Sequence, residues 1–285
     1  MNMSSMLAVT AIVVLMGPPN VFAEKEDVAN WRQRGAVESS KTAGSTSDDV
    51  AEEIRFGREI AARIIGRYGL YQNNELMRYV NLVGLSIAKG TERQEIAFHF
   101  AILNTDEINA YAAPGGYIFV TKGLLKQMQD ESELAGALAH EISHITQKHI
   151  VREMNIHATD SSATAGFAQL IGGTTQSART AFAQAVEKAL DILLKDGYKR
   201  EDEAQADKTS VTYVAMAGYD PGALGRLLNR IGPLKEKATE VLDKTHPGYL
   251  DRITWLDAAI KQDGLEGADG KTEKERFVAA MKTVR

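Results

Sequence analysis

Residues 140–144 read His-Glu-Ile-Ser-His, a spacing that acquires meaning once the segment is wound into a helix. At 3.6 residues per turn His140 and His144 stand about 40° apart around the axis, so both imidazoles leave one face and can hold one metal ion. Glu141 sits about a quarter turn round. From there its carboxylate reaches a water beside the ion without being a ligand, which is the arrangement of a zinc hydrolase. The flanks favour the helix. Asp130 and Ser132 are candidate N-caps, Glu131 and Glu133 suit the positive end, and Lys148 and Arg152 suit the negative end. Leu134, Ala137, Leu138, Ile142 and Ile145 form an apolar stripe between them.

A catalytic zinc takes three protein ligands and keeps one position open. The metzincin extension of the motif requires Gly at position 147 and His at position 150. This chain has Gln147 and Ile150, which excludes that class. The remaining pattern draws a carboxylate from a later helix, and Arg200-Glu201-Asp202-Glu203-Ala204-Gln205-Ala206-Asp207 offers one. Glu203 and Asp207 are one helical turn apart, so the first can bind metal while the second supports a ligand imidazole. Glu201 is the spare candidate and lacks an Asp one turn on. Such an acidic run is also how a solvated helix start reads, although Ala204 and Ala206 favour close packing.

Four segments, in this order, resemble peptidase family M48 in its soluble, exported, stand-alone form. They are Asn109-Ala110-Tyr111-Ala112-Ala113-Pro114-Gly115-Gly116-Tyr117-Ile118-Phe119-Val120-Thr121, the helix with His140, Glu141 and His144, the Glu203–Asp207 segment, and Thr245-His246-Pro247 followed by Arg252. The resemblance implies an α+β, mostly helical, zincin-like metallopeptidase domain with a small sheet beside the active-site helix. It implies one Zn2+ held by His140, His144 and Glu203, with Glu141 as general base and Asp207 supporting a ligand. His246 would lie near the metal, either steadying an oxyanion or occluding the open position at rest, and Arg252 would brace the cleft. The implied role is turnover of unfolded or misassembled envelope proteins, with envelope-assembly partners. Three rival readings stand beside it: a zinc-dependent, chaperone-like binder, a structural zinc protein with His246 as fourth ligand, and a hydrolase of non-peptide amides.

Composition narrows the field. A chain of 285 residues, 44 % hydrophobic and 25 % charged, is long enough for a sizeable globular core. Its net charge of −5 and lack of basic runs give no reason to expect nucleic acid or an acidic membrane surface as partner. With no cysteine there is no lipobox, disulfide or thiolate metal site. Leu7–Met16 is an apolar core followed by Gly17-Pro18-Pro19 and Val21-Phe22-Ala23, which reads as a signal peptide over 1–23. That run falls short of the about 20 residues a membrane span needs. The mature chain is therefore expected to be exported, periplasmic and without a membrane span.

Residues 24–47 read as a flexible linker, 48–262 as the metallopeptidase domain and 263–285 as a charged tail or peripheral helix. Asp48 or Asp49 starts a helix with Ile54, Ala61, Ile64 and Ile65 on one side, and Asn74 starts another with Leu76, Val80, Val83 and Ile87 inward. Ile96–Leu103 reads as a strand in which His99 has no assigned role. Tyr117–Val120 is strongly strand-forming. As an exposed edge it would pair with an extended substrate, with Asn109, Gly115, Gly116 and Tyr117 beside the substrate chain. A buried hairpin is the alternative, with Asn109 simply holding the turn. His149, nine residues after His140, falls half a turn out of phase and is expected to face away from the metal, and His157 is not a ligand candidate. Residues 158–198 read as a helical hairpin over the cleft, broken at Gly172-Gly173. Tyr219-Asp220-Pro221 opens a further helix carrying Leu224, Leu227, Leu228 and Ile231. No tetratricopeptide-like period is present.

Overall fold

The computed structural model describes residues 47–154, 176–234 and 237–284. The expected signal peptide, nearly all of the linker, His157 and the Gly172-Gly173 break lie outside them. The chain runs α1 (Ser47–Tyr68), α2 (Asn74–Ala88), β1 (His99–Leu103), β2 (Ala110–Ala113), a 3-10 turn (Pro114–Gly116), β3 (Tyr117–Thr121) and α3 (Lys122–Gln127). Then come α4 (Glu131–Thr146), α5 (His149–Glu153), α6 (Gln176–Asp191), a π-helical segment (Ile192–Asp196), α7 (Arg200–Met216) and α8 (Ala223–Ile231). A 3-10 turn (Lys237–Thr239), α9 (Glu240–Thr245), α10 (Tyr249–Gln262) and α11 (Lys274–Met281) complete it. Helices dominate, with one small sheet packed beside α4, so the fold is the mostly helical α+β class expected. No helix among the described residues is long and apolar enough to cross a membrane.

β1 pairs with β3 in parallel and β2 pairs with β3 antiparallel, giving the order β1-β3-β2. Alternation along each strand sorts the side chains onto two faces. Phe100, Ile102, Ala110, Ala112, Ile118 and Val120 join the core shared with α2, α4, α7, α8 and α10. Leu103, Tyr111, Ala113 and Phe119 pack instead with Phe56, Ile60 and Ile64 of α1 and Val186, Ala189 and Leu190 of α6. Of the two readings of Tyr117–Val120, free edge or buried hairpin, the structure has the hairpin: β3 is central, and both of its sides are taken by β1 and β2. The outer edge of β1 is closed at Phe100, whose N and O meet the side chain of Asn81 at 3.3 and 2.7 Å. The remaining edge, beside α4, is β2.

The apolar stripe predicted for α4 understates its burial, because every residue from Glu131 to Thr146 is buried. Small side chains make this possible. A Cβ on Gly136 would lie 3.0 Å from Leu224 Cβ of α8, so that helix crosses at contact distance. Both ends of α4 are anchored by charge. Asp130 caps it by accepting from Glu133 N at 3.0 Å, and Glu133 accepts from Gln129 N at 2.8 Å and pairs with Arg230. Wholly buried Glu131 accepts from Tyr79 Oη at 2.7 Å, from Tyr219 Oη at 2.5 Å and from Arg276. The C-terminal stretch expected as tail or peripheral helix is thus the helix α11, tied to α4 by Arg276 and to the core by buried Phe277. At the other end Arg93 donates to Ile145 O at 3.1 Å while pairing with buried Glu53 at 2.9 Å.

Candidate metal centre

α4 and α7 pack against each other, and the polar groups of the two helices meet between them. His140 and His144 leave α4 on one side, with their Nε2 atoms 3.1 Å apart. Glu203, in the first turn of α7, brings Oε2 to 3.7 Å from His140 Nε2 and Oε1 to 3.4 Å from His144 Nε2. His246, at the end of α9, brings its Nε2 to 3.9 Å from Glu203 Oε1. Three imidazoles therefore surround one carboxylate. His140, Glu203 and His246 form a group whose ligand atoms all lie within 4.8 Å of one another. His144 stands outside that group of three although its contacts with His140 and Glu203 are shorter. Glu201, the spare candidate, is exposed.

Around these groups lies a support. Asp207, one turn after Glu203, meets His140 Nδ1 at 2.8 Å and accepts two bonds from Arg252, Nη2 at 2.6 Å and Nε at 3.0 Å. His246 is placed by α9 and by Thr245, whose Oγ1 is 3.0 Å from its Nδ1. That segment rests on Gly197, which has φ 77° and whose Cβ, if it had one, would sit 2.2 Å from Thr245 O. Only a residue without a side chain lets the chain leave the π-helical segment here.

Burial sets the electrostatics, since removing a charge from water disfavours it. Burial pushes Glu203 well above the usual carboxylate range, and neither of its oxygens has a hydrogen-bond partner among the described residues. Burial raises Glu141 to about 8. Asp207 is the exception: burial alone would raise it, but Arg252 and His140 outweigh that and hold it at about 2. His140, His144 and His246 are all lowered, chiefly by burial. They are neutral rings with lone pairs to offer. The donor set of neutral imidazoles and one carboxylate, with a buried, easily protonated Glu141 alongside, can bind a divalent cation and move protons beside it.

Two neighbours of His144 were not foreseen. The expectation that His149 faces away from the metal side assumed that the helix continues, but α4 ends at Thr146 and Lys148 adopts a left-handed conformation (φ 56°, ψ 38°). The turn brings His149 Nδ1 to 2.7 Å from His144 Nδ1. Lys is an unusual residue for that conformation, so the sequence carries no signal of the turn. Burial, then Arg152, lowers His149 to about 3. Tyr198 stacks on the His144 ring with centroids 4.0 Å apart and donates from Oη to Ala112 O of β2 at 3.4 Å. Gly197 just before it was its only signal.

The residues expected at a substrate strand also make contacts that hold the turn and the sheet. Gly115 and Gly116 are buried, and a Cβ would lie 2.6 Å from Ile54 Cα at the first and 2.3 Å from Ala97 O at the second. They let the turn lie against α1. Asn109 is buried, with Oδ1 accepting from Ala110 N at 2.9 Å and Nδ2 without a hydrogen-bond partner among the described residues. Tyr117 stacks on exposed His99 at 5.3 Å across the β1–β3 pair.

Comparison with known proteins identifies the family. Residues 74–260 match the family model described as peptidase family M48. The chain is similar to the beta-barrel assembly-enhancing protease of Escherichia coli (strain K12), 27 % identical over 250 residues that make up 85 % of this chain and 50 % of the relative. A putative beta-barrel assembly-enhancing protease of Vibrio cholerae is 30 % identical over 74 % of this chain and 44 % of its own length. Metalloprotease LoiP of Escherichia coli is 22 % identical over 68 % of this chain and 74 % of its own. The chain thus spans about half the length of the first two relatives.

Proposed function

The chain belongs to peptidase family M48, and from that premise we propose that it is a zinc-dependent endopeptidase of the cell envelope that cleaves unfolded or misassembled proteins in extended form. The observation that carries the reading is Glu203, a buried carboxylate whose oxygens have no hydrogen-bond partner among the described residues while three imidazole nitrogens converge on it. A carboxylate so placed is costly unless a cation compensates it. Two imidazoles and one carboxylate are a donor set suited to zinc, so the residues present fit the ion. His140, His144 and Glu203 would hold it, and bound zinc would supply Lewis acidity toward a water and the scissile carbonyl.

The rest of the chemistry belongs to the chain. Asp207 accepts a hydrogen bond from the Nδ1–H of His140, which leaves the Nε2 lone pair directed to the Glu203 side. Arg252 fixes Asp207 with two bonds and compensates its charge. Glu141, whose burial raises its proton affinity, takes a proton from the attacking water and passes it to the departing amine. An extended substrate would pair with β2, the strand edge beside α4, where main-chain bonds give affinity with little sequence preference. The names of the beta-barrel assembly-enhancing relatives support a link to envelope-protein assembly and so an envelope location, and the periplasmic address in this proposal rests on the signal-peptide-like run Leu7–Met16.

One observation favours a second reading of the resting state. His246 lies in the same close group as His140 and Glu203, so it would occupy the fourth position at rest and make the protein a binder of unfolded chains until it is displaced. Glu141→Gln separates the readings. The variant is expected to keep its fold and its zinc, and to lose casein cleavage by about 10²–10⁴-fold. Cleavage at the wild-type rate by zinc-loaded variant would sink the general-base assignment. Protection of unfolded protein by both forms, with no fragments from either, would favour the binder.

A further inference from the structure

The His144 Nδ1···His149 Nδ1 contact of 2.7 Å requires one nitrogen to donate and the other to accept. Which does which is decided away from the metal centre. His149 Nε2 faces two oxygens, Gln205 Oε1 at 3.4 Å and Asp202 Oδ1 at 3.6 Å. Gln205 presents its oxygen because its Nε2 donates to Gln147 Oε1 at 2.9 Å. Arg152 already holds Asp202 Oδ1 at 2.8 Å, so that carboxylate is not free to sustain a second proton on the buried His149 ring. A neutral imidazole among acceptors carries its hydrogen on the nitrogen that faces them. His149 is therefore protonated on Nε2 and accepts at Nδ1. His144 must donate from Nδ1, which leaves its Nε2 lone pair toward Glu203 and His140.

We propose that His149 is a positioning residue that holds His144 in its metal-receiving tautomer, through a chain running Gln147, Gln205, His149, His144. The inference rests on the metal-centre reading above. It also accounts for an asymmetry between the two helix ligands. His140 is held by an anion, Asp207, whereas His144 is held by a neutral ring. A second anion there would add to Glu203, Glu141 and Asp207 in a region that water does not screen, and a neutral acceptor fixes the tautomer without that repulsion. Tyr198, stacked on His144, holds the ring plane while His149 holds its edge.

The test uses the full chain and two substitutions. In His149→Asn the amide oxygen can replace the accepting nitrogen, and in His149→Leu nothing can. Zinc affinity, read by competition with a chromogenic chelator, should fall by about 10–100-fold in His149→Leu and stay within a few-fold of wild type in His149→Asn. Ring ¹⁵N shifts of zinc-free wild type should show hydrogen on Nδ1 of His144 and on Nε2 of His149, a signature that simple packing would not set. Hydrogen on Nε2 of zinc-free wild-type His144 overturns the proposal, and this measurement holds even if a variant fails to fold. So does a folded His149→Leu protein with wild-type zinc affinity. A wild type that binds no zinc overturns the metalloenzyme reading instead, and its ring shifts still judge the histidine pair.

Discussion

Replacing Arg252 by Leu tests the support beneath His140 most directly. Arg252 is 3 % exposed and gives both a 2.6 Å and a 3.0 Å bond to Asp207, which is itself fully buried. Losing the guanidinium leaves a buried carboxylate with His140 as its remaining partner among these contacts. Breaking a buried pair from one side costs about 3–5 kcal/mol, much of it the penalty of the stranded charge. At about 2–4 °C per kcal/mol for a domain of this size, Tm should fall by roughly 6–20 °C. The stranded charge makes the two positions non-additive. Asp207→Asn combined with Arg252→Leu removes the uncompensated anion, so the double variant should cost less than the two single costs added together, by about 1–3 kcal/mol. Urea titration of the four proteins in excess chelator gives the cycle without a contribution from metal. An Arg252→Leu cost below about 1 kcal/mol, or costs that simply add, would refute the view that Arg252 exists to compensate Asp207.

Glu203→Gln should act in opposite directions with and without metal. In chelator it should be more stable than wild type by about 1–3 kcal/mol, because the unpartnered carboxylate is gone, while zinc titration should show the site lost; lower stability in chelator contradicts this. The acid limb of stability should depend on Glu131. Burial alone would raise its pKa, but Arg276, Tyr219 and Tyr79 outweigh burial and hold it below its ordinary value. A lowered folded-state pKa stabilises above the unfolded value and is lost as pH falls through the folded one. Wild type should therefore lose more stability than Glu131→Gln as pH falls below the ordinary carboxylate range, and parallel urea midpoints would disprove it. Gly197→Ala should cost about 1–3 kcal/mol and displace His246, since φ 77° and the 2.2 Å approach to Thr245 O both exclude a Cβ. Thermal melts and zinc titration of that variant check it, and an unchanged melt would show that the turn relaxes.

Sequence alone determined whatever depends on local periodicity. The four-residue spacing of His140 and His144, Glu141 between them, and Glu203 and Asp207 one turn apart are properties of a helix, and a helix keeps its period wherever it is placed. The mostly helical class and the starts of α1, α2 and α4 follow from caps and apolar spacing in the same way. Tertiary structure decided whatever depends on how the chain turns between elements. Strand order did so for Tyr117–Val120, because nothing in a short apolar run says whether a third strand will cover its free side. Backbone torsion did so for His149: one left-handed residue at Lys148 resets the helical phase and turns a histidine expected to face away into the hydrogen-bond partner of a metal ligand. Long-range packing alone brought Arg252, His246 and Tyr198 to His140, Glu203 and His144. His-Glu-Ile-Ser-His names the donors, and the tertiary fold sets their charge, tautomer and partners, because those depend on burial and on groups remote along the chain.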